Sequence, residues 1–187
     1  LLLTGGPGTG KTTSLRGILA LFDHLGLRTA LTAPTGRAAK RLSETCGAEA
    51  STIHRLLETR YDSTTGGLTF AHNEQEPLDT DAVILDEASM ASIPALWCAS
   101  YLAESSIVIV GDFLQLPPIV MADTPMAQKW LGKDIFYHSG MQERARNKET
   151  CPENFVMLNN QFRMESDIAD IANMYYGAYG GLLSDDN

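Results

Sequence analysis

Gly5-Gly6-Pro7-Gly8-Thr9-Gly10-Lys11-Thr12 satisfies the pattern GxxxxGK[ST] in full. Glycines let a backbone turn until successive N–H groups converge on an anion, and a helix N-terminus behind them adds partial positive charge. Lys11 brings a full charge to the same point, and a Thr12 hydroxyl is an oxygen ligand for a hard cation. The chemistry implied is phosphate binding. Gly6, Pro7, Gly8, Thr9, Gly10, Lys11, Thr12 and Thr13 are the expected lining for the phosphates of a nucleotide. A second run, Val83-Ile84-Leu85-Asp86-Glu87, is an apolar strand that ends in two carboxylates. Asp86, with Thr12, is expected to hold Mg²⁺, which sheds its water reluctantly and suits an indirect carboxylate. Glu87 is expected to orient and deprotonate an attacking water. A third run, Ile107–Pro118 (IVIVGDFLQLPP), repeats the layout of buried strand and polar tip. The Gln115 amide can both donate and accept, which suits reading a terminal phosphate or the water that attacks it. Pro117-Pro118 stiffens the segment beyond that tip.

Positioning these groups requires parallel strands, because ligands of a parallel sheet sit outside the carboxyl ends of its strands. The chain alternates short apolar runs with amphipathic ones, the pattern of an α/β fold with a parallel sheet flanked by helices. Strands are expected at 1–4, 28–33, 82–85, 107–110 and 155–158. Helices are expected at 11–25, with Leu15, Ile18, Leu19 and Phe22 on one face and Gly26 as the stop, and at 35–46, 52–59, 94–103 and 125–131. A helix at 166–176 is expected with Ser166 as N-cap and Ile168, Ile171, Ala172 and Tyr175 facing inward. Tyr61–His72, rich in Thr and aromatics around Gly66-Gly67, reads as a β-hairpin. Residues 134–154 read as a mobile loop with some helix, and 177–187 as a linker. Trp97, Tyr101 and Trp130 are expected in the core or at a contact between lobes.

The chain has 187 residues, 44% hydrophobic and 20% charged, which fits one globular domain. No run approaches the length of a membrane span, and no leader peptide is visible. The chain opens on LLLTGG without an initiator Met and reads as a fragment. Its 3 cysteines show no metal-binding spacing and fit the reduced thiols of a cytoplasmic protein. The net charge of −9 argues against a nucleic-acid partner when taken alone. Between Arg28 and Arg60, however, six basic residues (Arg28, Arg37, Lys40, Arg41, Arg55, Arg60) stand against three acidic ones (Glu44, Glu49, Glu58). A solvated helix face accounts for such a run equally well.

The phosphate loop, Leu85-Asp86-Glu87-Ala88-Ser89 and Gly111–Pro118 resemble motifs I, II and III of superfamily 1 helicases. Ala33-Pro34-Thr35-Gly36-Arg37-Ala38-Ala39 and Thr52-Ile53-His54-Arg55-Leu56-Leu57 resemble RecD-type segments. Leu158–Met164 (LNNQFRM) and the following helix with Tyr175-Tyr176-Gly177 resemble the Upf type. The resemblance spans residues 1–183 and implies a P-loop, RecA-like ATPase domain of the superfamily 1B branch. Residues 61–80 would be an inserted hairpin or pin region, 134–154 a mobile loop, and 184–187 the start of a linker to a second RecA-like domain. It further implies that Arg163 is an arginine finger on the γ-phosphate. Pro34, Thr35 and Gly36 would meet single-stranded DNA or RNA, assisted by Arg37, Lys40 and His54. Packed structural roles for His54 and the basic helix remain open. The expected activity is ATP-driven 5′-to-3′ translocation on single-stranded DNA, with weak hydrolysis by this segment alone. The alternatives are an RNA helicase or RNA–protein remodelling ATPase of the Upf type, and a nucleotide-binding switch that does not unwind.

Overall fold

The computed structural model describes residues 1–64, 66–72 and 75–184. In chain order the elements are β1 (Leu2–Gly5), α1 (Lys11–His24), β2 (Thr29–Ala33), α2 (Gly36–Cys46), β3 (Ala50–Thr52), α3 (Ile53–Leu56), β4 (Thr59–Asp62) and β5 (Gly67–Phe70). There follow β6 (Ala82–Leu85), a 3₁₀ turn at Ala88–Met90, α4 (Ile93–Leu102), β7 (Ser106–Gly111), α5 (Pro125–Leu131), α6 (Ile135–His138) and α7 (Met141–Asn147). The chain ends with β8 (Phe155–Leu158), β9 (Asn160–Gln161), α8 (Ser166–Tyr176), a 3₁₀ turn at Gly177–Tyr179 and β10 (Leu183–Ser184).

Six strands form one sheet in the order β3-β2-β6-β7-β1-β8, and every pairing is parallel. Side chains alternate between the two faces of a strand, and the core divides accordingly. Ile84, Val108 and Val110 join Leu15 and Leu19 of α1 and Leu42 of α2 on one face. Val83, Leu85 and Ile109 join Ile53, Leu57 and the apolar side of α4 on the other. Strands buried on both faces need continuous apolar runs, which is what 82–85 and 107–110 supply. α2 is closed at both ends: the Thr35 side chain accepts from Ala38 N at 3.2 Å, and Gly47 takes the left-handed conformation at φ 70°.

Several expectations need correction. The helix expected over 52–59 is four residues long, and the three-residue strand β3 precedes it. The hairpin forms from β4 and β5, paired Thr59 to Phe70 through Asp62 to Gly67, so it begins two residues before Tyr61. The helix expected within residues 134–154 is present as α6 and α7. Asp134 caps α6 through Tyr137 N (2.9 Å), and Phe136 is fully buried against Phe113, their ring centroids 6.1 Å apart. Phe136→Ala removes a fully enclosed ring and is expected to cost about 3–5 kcal/mol of stability, read as a lowered denaturant midpoint with an unchanged slope.

The carboxyl-terminal helix differs most from expectation. Its N-cap is Glu165, not Ser166, and Ile168, Ile171 and Tyr175 are exposed; Ala169 is its one buried residue. Trp97, Tyr101 and Trp130 are also exposed and so are not core; Trp97 stacks on Tyr101, and Trp130 on His138. The segment 177–187, expected as a linker, contains the buried Leu182 and the strand β10 paired with β9. Ser184, expected as the first linker residue, ends that strand, and 185–187 lie outside the described residues.

Candidate active site

The carboxyl ends of β6, β7 and β1 lie side by side, with Thr4 opposite Gly111 and Leu85 opposite Ile109. The phosphate loop leaves β1, Asp86-Glu87 leaves β6, and Asp112–Gln115 leaves β7. Sheet order alone therefore collects groups that are 75 to 104 residues apart in sequence from Lys11. Pro7–Thr13, Arg41, Asp86, Glu87, Gln115 and Arg163 line one polar cleft of about 240 Å³.

Within the loop, Gly8 and Gly10 hold φ of 76° and 84°, and a side chain at Gly8 would meet Arg163 Cβ at 2.7 Å. Thr9 donates its hydroxyl to Gly6 O (2.9 Å), closing the turn. Lys11 Nζ donates to Gly5 O at 2.7 Å and Gly6 O at 3.0 Å. Burial pulls the Lys11 ammonium below its ordinary value, and the nearby Asp112, Glu87 and Asp86 carboxylates pull the other way. Gly6, expected among the lining residues, faces away: a Cβ there would strike Leu182 and Tyr176. It serves the cleft through its carbonyl.

Asp86 is buried, and burial pushes its carboxyl above the usual carboxylate value; its Oδ1 accepts from Glu87 N at 2.9 Å. Glu87 takes the left-handed backbone region (φ 54°), an uncommon conformation for a non-glycine residue, and lines the cleft. There it lies 3.9 Å from Arg41 Nη2. Arg41 on α2 is a cleft cation that carries no motif position of its own.

Gln115 is held by Asp112. Its Nε2 donates to Asp112 Oδ2 (2.9 Å), and Tyr176 of α8 donates its hydroxyl to the same oxygen (2.7 Å). Asp112 is 1% exposed, so it organises the site from beneath. Arg163 reaches the cleft because β8 pairs with β1 at the sheet edge and Phe162 N then donates to Gly8 O (3.0 Å). Gln161 braces that turn, accepting from the backbone N–H groups of Arg163 (3.0 Å) and Met164 (2.7 Å).

The residues expected to meet nucleic acid sit apart from this cleft. Pro34 and Thr35 lead into α2, whose first residues are Gly36 and Arg37, and Gly36 and Lys40 line a neighbouring groove with Thr52 and Arg55. His54 is exposed, and its carbonyl accepts from the Thr59 hydroxyl. The basic run is not one patch. Arg28 is engaged by Asp79, Asp81 and Glu104, Arg41 by Glu87, and Arg60 by Glu58.

The family profile described as an AAA domain matches residues 1–121. The chain belongs to the AAA domain family. It is accordingly a nucleotide-binding domain, and it is similar to RecD-type proteins. It is 43% identical over 121 residues to the ATP-dependent RecD2 DNA helicase of Deinococcus radiodurans, a match covering 64% of this chain and 16% of that protein. It is 36% identical over 151 residues to the RecBCD enzyme subunit RecD of Mycolicibacterium smegmatis, covering 65% of this chain and 27% of the relative. The chain thus spans well under a third of the length of either relative. Among solved structures it resembles Bacteroides Pif1 bound to single-stranded DNA, with a TM-score of 0.63 at 21% identity over 98% of this chain and 43% of that one. That likeness shows the fold: a RecA-like α/β domain of P-loop type, as the sequence implied. Among the described residues, no helix of this AAA domain is long and apolar enough to cross a membrane.

Proposed function

We propose that residues 1–183 form the ATP-binding and hydrolysing domain of a cytoplasmic DNA helicase that moves 5′ to 3′ along single-stranded DNA. The observation that carries this reading is the single cleft shared by Lys11, Thr12, Asp86, Glu87, Gln115 and Arg163. A protein that only binds nucleotide has no use for a carboxylate base and an amide at the same point. Lys11 and the loop N–H groups bind the phosphates, Arg163 offsets charge gathering on the transferred group, and Glu87 takes the proton of a water that Gln115 orients.

Mg²⁺ fits this corner. Asp86 is a buried carboxylate facing the cleft beside Thr12, and the glycine loop leaves open space at Gly10, where a Cβ would meet nothing within 4 Å. Asp86 and Thr12 would hold the ion, whose charge offsets that of the phosphates when bound.

The RecD2 DNA helicase relative supports DNA as the track, and so does the Pif1 structure with its bound single strand. On this chain the track is assigned to Pro34, Thr35, Gly36, Arg37, Lys40 and His54. Lys40 lies only 3.9 Å from Glu44, a loose pair that a phosphate can displace. A second RecA-like domain in the same polypeptide closes over the cleft, and residues 1–183 alone hydrolyse ATP weakly.

The test is made on the full-length protein. ATP turnover should rise with single-stranded DNA, and a duplex with a 5′ tail should be unwound in preference to one with a 3′ tail. Absence of stimulation by any single strand would sink the reading, and preference for RNA would move it to the Upf-type alternative. Replacing Arg37 and Lys40 together by Ala should weaken single-strand binding and flatten its log–log salt dependence by about 1.4, near 0.7 per lost phosphate contact. An unchanged slope would remove both residues from the track.

A further inference from the structure

Tyr176 lies 64 residues from Asp112 in sequence, yet the two meet at 2.7 Å beneath the cleft. The shared acceptor has a chemical consequence. A carboxylate only accepts, so the end of the Gln115 amide that faces Asp112 must be the NH₂ group, 2.9 Å away. Oε1 is then the end that remains to face a donor, and a water attacking a phosphate is a donor. Asp112 is itself fixed by three bonds: from Gln115, from Tyr176 and, on its other oxygen, from Leu114 N (3.1 Å). The Tyr176 ring lies against the phosphate loop, where a Cβ on Gly6 would approach its Cε1 to 2.9 Å. Tyr176 is the last residue of α8, and α8 begins three residues after Arg163.

We propose that Tyr176 is a positioning residue for Gln115: through Asp112 it holds the amide in the orientation that presents Oε1, and it links that amide to the segment carrying Arg163. The two groups assigned to the terminal phosphate, Gln115 and Arg163, enter the cleft from separate strands. The Tyr176–Asp112 bond ties the segment that follows β7 to α8, the helix that follows Arg163, so a shift of α8 is felt at both groups. This inference rests on the reading of Gln115 as a group that orients water.

The experiment is a double-mutant cycle in full-length protein with single-stranded DNA present, measuring kcat and KM for ATP and nucleotide affinity for Tyr176→Phe, Gln115→Ala and the pair. Tyr176→Phe keeps the ring against the loop and deletes one bond to a carboxylate. It is expected to lower kcat about tenfold with KM and affinity within about twofold. In the Gln115→Ala background the same change should have no further effect, because the group it aims is gone. An equal loss in both backgrounds overturns the proposal and leaves the role of Gln115 standing. A fall in nucleotide affinity with Tyr176→Phe also overturns it, since the tyrosine then builds the pocket. Full turnover by Gln115→Ala overturns both this proposal and the reading beneath it.

Discussion

Glu87→Gln is expected to lower ATP turnover by about 10²–10⁴-fold while nucleotide still binds, the range over which a positioned general base acts. The change replaces one carboxylate oxygen by an NH₂ group of similar size, so the cleft keeps its shape. It also deletes the charge that faces Arg41 at 3.9 Å. That pair is more than half exposed on the arginine side, so its loss weighs little on stability. Turnover and binding therefore separate, and the measurement is a single-turnover assay beside a nucleotide titration. Near-normal turnover would remove Glu87 as the base and leave the buried Asp86 as the cleft's remaining carboxylate on that strand. Loss of binding in parallel with turnover would mean that Glu87 supports the pocket.

Lys11→Ala should behave differently: it is expected to reduce kcat/KM by about 10²–10³-fold, the cost of deleting one preorganised donor at a charged transition state. Part of that loss appears as weaker nucleotide binding. Lys11 is a largely buried cation of the cleft, and three carboxylates around it partly offset the cost of its burial. Deleting it leaves Asp86 and Asp112 without that neighbour, which repels phosphate further. The variant should keep its fold, because Thr9 still closes the loop on Gly6. Affinity and turnover unchanged within about twofold would take Lys11 out of the phosphate site.

The central strands and the cleft were legible because their signals are local. Each is an apolar run followed at once by a polar tip, and parallel pairing brings such tips together without further information. What the sequence did not show is long-range. Asp112 reads as an ordinary turn residue until Tyr176, on the last helix, is seen to share its Oδ2 with Gln115. Its one signal was the Tyr175-Tyr176-Gly177 resemblance, which carries no role. Arg41 lies two residues beyond a recognised segment, and nothing near it in sequence points to Glu87, which it meets at 3.9 Å. The exposed face of α8 misled for a related reason. Apolar spacing shows that Ile168, Ile171 and Tyr175 share a side, but not whether anything covers it. β3 escaped because three residues without an apolar run have no periodicity to read.

At the pole opposite the cleft, Arg28 accepts at its carbonyl from Asp81 N (2.8 Å) and Ala82 N (3.1 Å), while its guanidinium joins Asp79, Asp81 and Glu104. Those contacts hold the strand entrances of β2, β6 and β7, whereas reactivity occupies the exits. The charged cluster at one rim is therefore spatially separate from the reacting groups at the other, and exchanging its exposed charges is expected to leave nucleotide affinity unaltered in a binding titration.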